Sequence, residues 1–293
     1  LVVSIFIIFF SYIKSLVILY KAKPIIVFGM GGHASFPACL AAKTLNIPFI
    51  IYENNIQIGK SNKYLLPFAY KIFVSYEDLA GIKNKHKHKV IVTGNIIREE
   101  ILNFKKDFQF MPDILNILVL GGSQAAKSFG ELLPKVFEQC MRENINIKIF
   151  QQCIESQTEA LNEIYKKLNF NFELFNFTNN IIDYFSKANL VITRSGASML
   201  GELINFNIPF ISVPLPTSAD NHQLKNAIYY QKKNFGFLIE EKDLNNKLFN
   251  LIKSLYEDKS QIEKIIVNQS QYSDKNIYKN IDTQIEKILD EKN

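Results

Sequence analysis

The stretch LVITRSGASMLGE, residues Leu190–Glu202, decides the fold class of this chain. It opens with a short apolar run, passes through a turn that contains a glycine, and continues into a helical pattern. The same order recurs in IIVFGMGGHAS at Ile25–Ser35 and in ILVLGGSQAAKS at Ile117–Ser128. Glycine lets the backbone approach a ligand closely, and the N–H groups that begin the following helix can face an anion. Three such turns, divided between two domains, favour a phosphate-bearing ligand held between the domains.

Apolar β-branched runs alternate with helix-length segments along almost the whole chain. The runs lack a regular polar alternation, which is typical of parallel strands covered by helices on both faces. The sequence therefore predicts an α/β fold with two Rossmann-like, doubly wound domains. The predicted strands are Pro24–Gly29, Pro48–Tyr52, Lys71–Ser75, Val90–Thr93, Leu115–Leu120, Asn146–Phe150, Phe172–Phe175, Leu190–Thr193, Pro209–Val213 and Gly236–Glu240.

The segment NFKKDFQFMPD at Asn103–Asp113 interrupts this alternation with charge and a proline. It predicts a boundary that gives domains of residues 1–108 and 109–293. The second domain then contains a complete doubly wound set of strands. The sheet of the first domain begins in mid-pattern, as though opening βα units were missing, so the first domain is expected to be incomplete. Residues from Glu257 onward have a helical pattern.

The first twenty residues, LVVSIFIIFFSYIKSLVILY, allow two interpretations. The favoured one is a buried strand at Val2–Phe9 followed by a short helix that opens at Ser11. The alternative is an element that touches a membrane, since the run approaches the length of a membrane-spanning helix. Lys14 and three serines interrupt the run, and no basic segment precedes it as in a signal peptide.

Composition excludes several classes of protein. The chain has 293 residues, of which 47% are hydrophobic, and this fraction is too high for a disordered protein. The formal charge of +6 is too weak and too dispersed to indicate nucleic-acid binding. Three cysteines without a CxxC pair predict neither a disulfide framework nor a structural zinc site.

The glycine-containing turns also lack two well-known fingerprints. None matches GxGxxG or GxxxxGK[ST], so the sequence predicts neither a dinucleotide site nor a Walker-type site. A DxD-type carboxylate pair is absent as well, so the sequence implies no metal ion and no cofactor.

Four spaced segments between about Lys23 and Ala227 resemble the MurG family. They are GMGGHASFPACLAAKTLNIPFIIYENN, VTGNIIREEIL, LVLGGSQAAKS and TRSGASMLGELINFNIPFISVPLPTSADNHQLKNA. These enzymes move N-acetylglucosamine from UDP-N-acetylglucosamine to lipid I, undecaprenyl-pyrophosphoryl-N-acetylmuramoyl-pentapeptide. The resemblance implies an inverting enzyme of GT-B architecture, peripheral on the cytoplasmic face of the bacterial inner membrane. It also implies that the nucleotide binds mainly to the C-terminal domain and the lipid acceptor to the N-terminal one.

The resemblance implies a donor site position by position. Glu202 corresponds to the carboxylate that accepts hydrogen bonds from the ribose hydroxyls, although a first-turn glutamate also complements a helix dipole. Thr178 falls where backbone groups hold the uracil edge, and Gln223, next to His222, resembles the contact to the transferred sugar. The remaining implied donor contacts are Arg98, Ser123, Ala197, Ser198, Met199, Leu200 and Gly201.

The implied acceptor site lies in the first half of the chain. Asn55 resembles a sugar contact. Glu53 is a candidate for activating the acceptor hydroxyl, with a structural salt bridge as the alternative. His33 is a second candidate base, with a contact to the acceptor diphosphate or a packing contact as the favoured alternative. The basic run Lys83–Lys89 is either a solvated loop or a segment that attracts anionic lipid.

This sequence departs from the family pattern at its start. The family loop GGTGGH, whose histidine is a favoured base candidate, has no counterpart, while GNIIR replaces GNPVR and GGSQAA replaces GGSQGA. Two alternatives to lipid II synthesis therefore stay open. One is a truncated UDP-sugar-binding relative with little transfer activity, and the other is a UDP-N-acetylglucosamine enzyme that needs no lipid acceptor.

Overall fold

The computed structural model describes residues 2–104 and 114–291, and the side chains of residues 2–5, 33 and 123–126 lie outside the described part. The chain forms two compact units, Leu1–Ile96 with Asn276–Asn293 and Ile97–Lys275. The boundary predicted between residues 108 and 109 itself lies outside the described residues. The structure also differs from the predicted division at the C-terminus, because residues after 275 group with the first unit.

The first unit has a four-stranded parallel sheet in the order β1-β2-β3-β4, so that neighbouring strands are also consecutive in the chain. This is the number of strands predicted without the first ten residues. The elements are α1 (Val2–Ala22), β1 (Val27–Gly29), α2 (Gly32–Thr44), β2 (Phe49–Glu53), α3 (Lys60–Leu65), β3 (Lys71–Val74), a 3-10 helix (Asn84–Lys89), β4 (Val90–Val92) and α12 (Ile277–Asp290).

Helix α12 joins the first unit through hydrogen bonds at both of its ends. The Tyr70 hydroxyl donates to Glu291 Oε2 at 2.7 Å, and Asn280 Nδ2 donates to the carbonyl of Thr93 at 3.2 Å. These contacts are the physical reason that residues 276–293 belong with the four-stranded sheet. A prediction from local pattern could not find them, because the partners are about 190–220 residues apart in the chain.

The prediction of a strand at Val2–Phe9 is wrong, because one helix, α1, covers the whole stretch. A continuous apolar run fits a buried strand and a buried helix equally well, and here the longer alternative forms. The helix lies against α2, where the Tyr12 hydroxyl is 2.8 Å from Thr44 Oγ1 and Leu19 packs on the core of the first unit. Strand β1 consequently stays at the edge of its sheet.

Much of the apolar surface of α1 is exposed. Five consecutive apolar side chains, from Phe6 to Phe10, are exposed, and Phe10 is 67% exposed. Within the described residues, no helix combines the length and the apolar character that crossing a membrane requires.

The second unit has a six-stranded parallel sheet in the order β10-β9-β8-β5-β6-β7. Its strands are β5 (Leu115–Leu120), β6 (Ile147–Gln152), β7 (Asn171–Phe175), β8 (Leu190–Thr193), β9 (Phe210–Ser212) and β10 (Phe237–Leu238). Its helices are α4 (Glu99–Asn103), α5 (Gly122–Arg142), α6 (Glu155–Lys167), α7 (Ile181–Lys187), α8 (Ala197–Asn205), α9 (His222–Lys232), α10 (Leu244–Glu257) and α11 (Ser260–Ser270). All ten predicted strands are present, and so is the helical C-terminal region.

The strand order of the second sheet reverses between β5 and β8, which lie side by side at its centre. This is the Rossmann order, in which the crevice at the carboxyl ends of the two central strands is the usual ligand site. Both strands are buried, and each ends directly before a glycine-containing turn, at Gly121 and at Gly196. The topology therefore brings two of the three predicted turns to one place.

Candidate functional site

A cavity of about 480 Å³ lies at the carboxyl ends of the central strands of the second unit. This volume is in the range of small-molecule sites. Residues that follow β5, β6, β7, β8 and β9 all contribute to its wall. The lining residues are Arg98, Leu120, Gly121, Gly122, Gln152, Phe175, Phe177, Thr178, Ile181, Thr193, Arg194, Gly196, Met199, Leu215 and Gln223.

The N-termini of helices α5 and α8 both open onto this cavity. Gly122 begins α5 with a φ of +67°, a backbone conformation that favours glycine, and a side chain there would meet no atom within 4 Å. Gly196 caps α8 and also faces open space. The first N–H groups of a helix have no partner inside the helix and carry its positive dipole end. Two such ends at one cavity form a site suited to a diphosphate.

Arg98, which lines the cavity, forms a bidentate ion pair with Glu202 on α8. Its Nε donates to Glu202 Oε1 at 2.8 Å and its Nη2 donates to Glu202 Oε2 at 2.6 Å. The hydrogen bond to the carboxylate raises the pKa of the Arg98 guanidinium further above its usual range. The Glu202 side chain is only 12% exposed beneath this contact. The carboxylate predicted to hold ribose is therefore covered by the arginine predicted to lie near the donor.

Gln223, at the start of α9, is fixed by two backbone N–H groups. Its Oε1 accepts from Ser195 N at 3.2 Å and from Leu215 N at 3.0 Å. The amide nitrogen of Gln223 is thus the group that this side chain can use as a donor in the cavity wall. The neighbouring His222 is held by its Nδ1, which lies 2.7 Å from the carbonyl of Ala219.

Thr178 lies in the cavity wall as part of a turn between β7 and α7. Its Oγ1 accepts a hydrogen bond from Asn180 N at 3.0 Å, which fixes the turn. The preceding residue, Phe177, also lines the cavity, and its ring is 79% exposed. An exposed aromatic ring at the rim of a cavity can stack on a flat ligand group.

Two predicted site residues have side chains outside the described part of the chain. Ser123 has its backbone in the first turn of α5, and His33 has its backbone in the first turn of α2. Among the other predicted positions, Arg98, Thr178, Met199 and Gln223 line the same cavity. The range 197–202 forms the first two turns of α8.

Glu53 and Asn55 lie in the first unit, at the carboxyl end of β2. Glu53 is buried, and its Oε1 accepts from the backbone and side-chain nitrogens of Asn55 at 3.1 and 2.9 Å. Its Oε2 accepts from Gly59 N at 2.8 Å and from Asn62 Nδ2 at 2.9 Å. Since a carboxylate offers about four acceptor positions, the loop between Glu53 and Asn62 uses all of them.

The glycine turn after β1 lies beside this loop. A Cβ placed on Gly31 would be 3.1 Å from the carbonyl oxygen of Tyr52 and 3.3 Å from Asn62 Nδ2, and the residue has a φ of +82°. The turn that precedes His33 is therefore packed against the residues that hold Glu53. Among the residues that the structure describes, no cluster of three His, Cys, Asp or Glu side chains could hold a metal ion.

Three residues of the cavity wall, Phe177, Arg194 and Gln152, are not among the site residues predicted from the sequence. Arg194 stands in the quoted TRSGASMLGE segment, so its position after a buried strand was a usable signal. Gln152 Oε1 accepts from Gly122 N at 3.1 Å and so fixes the glycine turn before α5. Phe177 has no comparable signal, because an aromatic residue after a strand usually packs in a core.

Two family models match the chain. The glycosyltransferase family 28 C-terminal domain matches residues 116–284, and the glycosyltransferase family 28 N-terminal domain matches residues 2–74. A Pelagibacter ubique (strain HTCC1062) protein is 34% identical over 288 residues, which cover 98% of this chain and 80% of that protein. A Rickettsia felis protein is 37% identical over 267 residues, which cover 86% of this chain and 74% of that protein. Both are named UDP-N-acetylglucosamine–N-acetylmuramyl-(pentapeptide) pyrophosphoryl-undecaprenol N-acetylglucosamine transferase.

Solved structures share the fold. The crystal structure of Acinetobacter baumannii MurG matches with a TM-score of 0.78 at 24% identity, over 96% of this chain and 80% of that one. A co-structure of S. aureus MnaA with UDP matches with a TM-score of 0.76 at 16% identity, over 98% and 82%. Together with the family models, these matches confirm the predicted α/β class with Rossmann-like units of GT-B type.

Proposed function

Because the chain belongs to the MurG family within glycosyltransferase family 28, we propose that it transfers N-acetylglucosamine from UDP-N-acetylglucosamine to lipid I and so forms lipid II in peptidoglycan synthesis. The cavity at the reversal of strand order, with two helix N-termini opening onto it, is the observation that carries this proposal. The names of the relatives favour this function over a UDP-sugar binder and over an enzyme without a lipid acceptor.

In the proposed complex, the donor diphosphate faces the first N–H groups of α5 and α8. Ser123 lies in the first turn of α5 and residues 197–201 lie in the first turns of α8, so the backbone supplies most of the donors. Arg98 adds a full positive charge at the same wall. Fixed N–H dipoles and one guanidinium can neutralise the charge that develops on departing UDP, because they need no reorganisation during the reaction.

The remaining donor contacts are assigned from the family resemblance and from the wall of the cavity. We assign the ribose hydroxyls to Glu202, which does not itself line the cavity and is paired with the lining residue Arg98. We assign the uracil edge to the backbone at Thr178 and stacking at the rim to the exposed ring of Phe177. We assign the transferred sugar to the amide nitrogen of Gln223, with His222 beside it. The support for the sugar contact is that Gln223 already uses its oxygen for two backbone hydrogen bonds.

The reaction that we propose is an inverting displacement at the anomeric carbon of the donor sugar. The acceptor hydroxyl attacks this carbon, the bond to UDP breaks, and the hydroxyl proton passes to a protein base. His33 and Glu53 are the proposed candidates for this base, and Asn55 is the proposed acceptor contact. The four hydrogen bonds that Glu53 accepts support a role in shaping the loop between Glu53 and Asn62.

We further propose a peripheral position on an anionic membrane, at the cytoplasmic face of the inner membrane. The exposed apolar side chains of α1 supply a surface that can enter the boundary of a bilayer. The 3-10 helix at Asn84–Lys89 carries exposed lysines, and basic residues near an anionic surface each add about 1 kcal/mol of attraction. Apolar and basic surface together fit binding to lipid better than binding to nucleic acid.

The decisive experiment measures UDP-N-acetylglucosamine binding and its transfer to a lipid I analogue in the same preparation. We expect both binding and transfer, with release of UDP. Binding without transfer would support the UDP-sugar binder instead, and hydrolysis or epimerisation of the donor without lipid would support the lipid-independent enzyme. Failure to bind the donor would refute all three functions.

A further inference from the structure

We propose that Glu241 and Arg194 form a positioning pair that sets the orientation of Gln223, and so tunes recognition of the donor sugar. This inference rests on the proposed function, because it assigns a role to the groups behind the proposed sugar contact. The two residues are not part of the implied donor site. Both belong to the second unit, as do their hydrogen-bond partners.

Arg194 is a buried cation at the end of β8. Its side chain is 8% exposed, and its guanidinium carbon lies 4.5 Å from the centre of the Phe129 ring. A buried guanidinium is costly unless its donors are paired, so its partners describe what it holds. Arg194 also lines the cavity, which places it between the core and the ligand site.

One edge of the guanidinium binds an anchor formed by Glu241 and Ser128. Arg194 Nη2 donates to Glu241 Oε2 and to Ser128 Oγ, the latter at 2.6 Å. The Ser128 hydroxyl donates to the same Glu241 oxygen at 2.9 Å. These three mutual contacts hold the Arg194 guanidinium against Ser128 of α5.

The other edge of the guanidinium reaches the end of β9. Arg194 Nη1 lies 3.3 Å from the carbonyl oxygen of Val213 and 3.4 Å from that of Pro214. The anchored arginine therefore ties the end of β8 to the end of β9. Lysine could not replace it, because an ammonium lacks the planar fork that reaches both sides.

The two N–H groups that hold Gln223 come from the residues that directly follow these tied positions. Ser195 follows Arg194, and Leu215 follows Pro214. The spacing of Ser195 N and Leu215 N fixes where Gln223 Oε1 sits, at 3.2 and 3.0 Å from them. The pair of Glu241 and Arg194 thus acts on the sugar through Gln223, while the proposed uracil contacts at Phe177 and Thr178 lie after β7, elsewhere in the wall.

A double-mutant cycle tests this inference. The measured quantity is the ratio of the Kd for UDP to the Kd for UDP-N-acetylglucosamine, determined by titration calorimetry, since this ratio isolates the sugar. The variants are Glu241→Gln, Gln223→Ala and the double variant. The control is Glu240→Gln, since Glu240 is the exposed neighbour that pairs with Lys242 at 3.2 Å.

We expect Glu241→Gln and Gln223→Ala each to change the ratio about threefold to tenfold in the same direction, and the double variant to change it no more than Gln223→Ala alone. We expect the Kd for UDP to stay within about twofold of the wild-type value in each of these variants. We expect the control Glu240→Gln to keep the wild-type ratio, also within about twofold. The inference would be overturned if Glu241→Gln changed the ratio by the same factor in the wild type and in Gln223→Ala. It would also be overturned if a folded Glu241→Gln variant kept the wild-type ratio.

The same cycle separates failure of the inference from failure of the proposed function. A wild-type protein that binds neither UDP nor UDP-N-acetylglucosamine would refute the proposed function. A wild-type protein that binds both, combined with an additive cycle, would refute only the positioning role. If Glu241→Gln does not fold, Ser128→Ala, which removes one partner of the anchor and keeps the ion pair, is used in the same cycle with the same criteria.

Discussion

Replacement of Arg98 by alanine should affect the binding of uridine and of UDP in opposite directions. The Arg98 guanidinium covers both oxygens of Glu202, the carboxylate that we assign to the ribose hydroxyls. Uridine has a ribose but no phosphate. It must break this ion pair to reach Glu202, and it has no phosphate that could accept hydrogen bonds from the released Arg98. UDP also breaks it, but its diphosphate can then accept hydrogen bonds from Arg98.

The structure bounds the size of this effect. The Arg98 side chain is 46% exposed. Exposed ion pairs contribute about 0.2–1 kcal/mol, and the bidentate geometry places this pair at the upper end of that range. Removal of Arg98 should therefore tighten uridine binding up to about fivefold, since 1.4 kcal/mol corresponds to a factor of ten. For UDP, the lost contact to the diphosphate should outweigh this gain and weaken binding at least about twofold, since hydrogen bonds to charged groups contribute about 1.5–3 kcal/mol and the gain is at most about 1 kcal/mol.

Titration calorimetry with uridine and with UDP measures both effects on one protein preparation. Arg142→Ala is the matched control, because Arg142 pairs with Glu138 at 2.6 Å on α5 and does not line the cavity. We expect the control to bind both ligands as the wild type does. Weaker uridine binding in Arg98→Ala would refute the reasoning, since it would show that Arg98 supports the ribose site and does not cover it.

Three further predictions follow from the first unit. Glu53→Gln should lower the free energy of unfolding in urea by at least about 1–3 kcal/mol, because the new amide nitrogen replaces an oxygen that accepts two hydrogen bonds; lost transfer at unchanged stability would instead identify Glu53 as the base. Phe10→Asp should weaken cosedimentation with anionic vesicles about tenfold or more, while Tyr64→Asp, an exposed site on α3, should not; equal binding by both variants would exclude α1 as the membrane contact. Burial raises the pKa of the Cys39 thiol to about 11 from 9.0, so the unfolded chain loses this proton first as the pH rises. The free energy of unfolding should then fall between about pH 9 and pH 11, and Cys39→Ala should reduce this decline, although Cys140 adds a similar one.

The sheets were predictable because buried parallel strands have a strong local signal. Leu115–Leu120 and Leu190–Thr193 are mostly apolar and are followed by glycine-containing turns, so their type and their bounds follow from the residues themselves. The N-terminal helix was not predictable by the same signal. Its run of isoleucine and phenylalanine fits a strand as well as a helix, and packing against α2 determines that the helix forms.

The candidate site was predictable in position but not in its internal contacts. Arg98 and Glu202 were each identified from their motifs, yet their ion pair joins residues 104 positions apart. Likewise, Arg194 lies within a quoted motif and Glu241 directly follows the predicted strand Gly236–Glu240, but nothing in the local sequence links the two residues. The local sequence indicates which residues lie at the carboxyl ends of the strands. Which side chains pair there depends on distances in the folded structure, and the local sequence does not give these.

The return of α12 to the first unit has a consequence for how the protein is made. The four strands of the first unit leave the ribosome before the second unit does, whereas Asn280 and Glu291 follow it. The six-stranded sheet and its cavity lie within residues 97–275, so they can form while the first unit still lacks α12. In sequence, the second unit is thus an insertion in the first. A cut or a tag at α12 should therefore destabilise the four-stranded unit and not the six-stranded unit that precedes α12 in the chain.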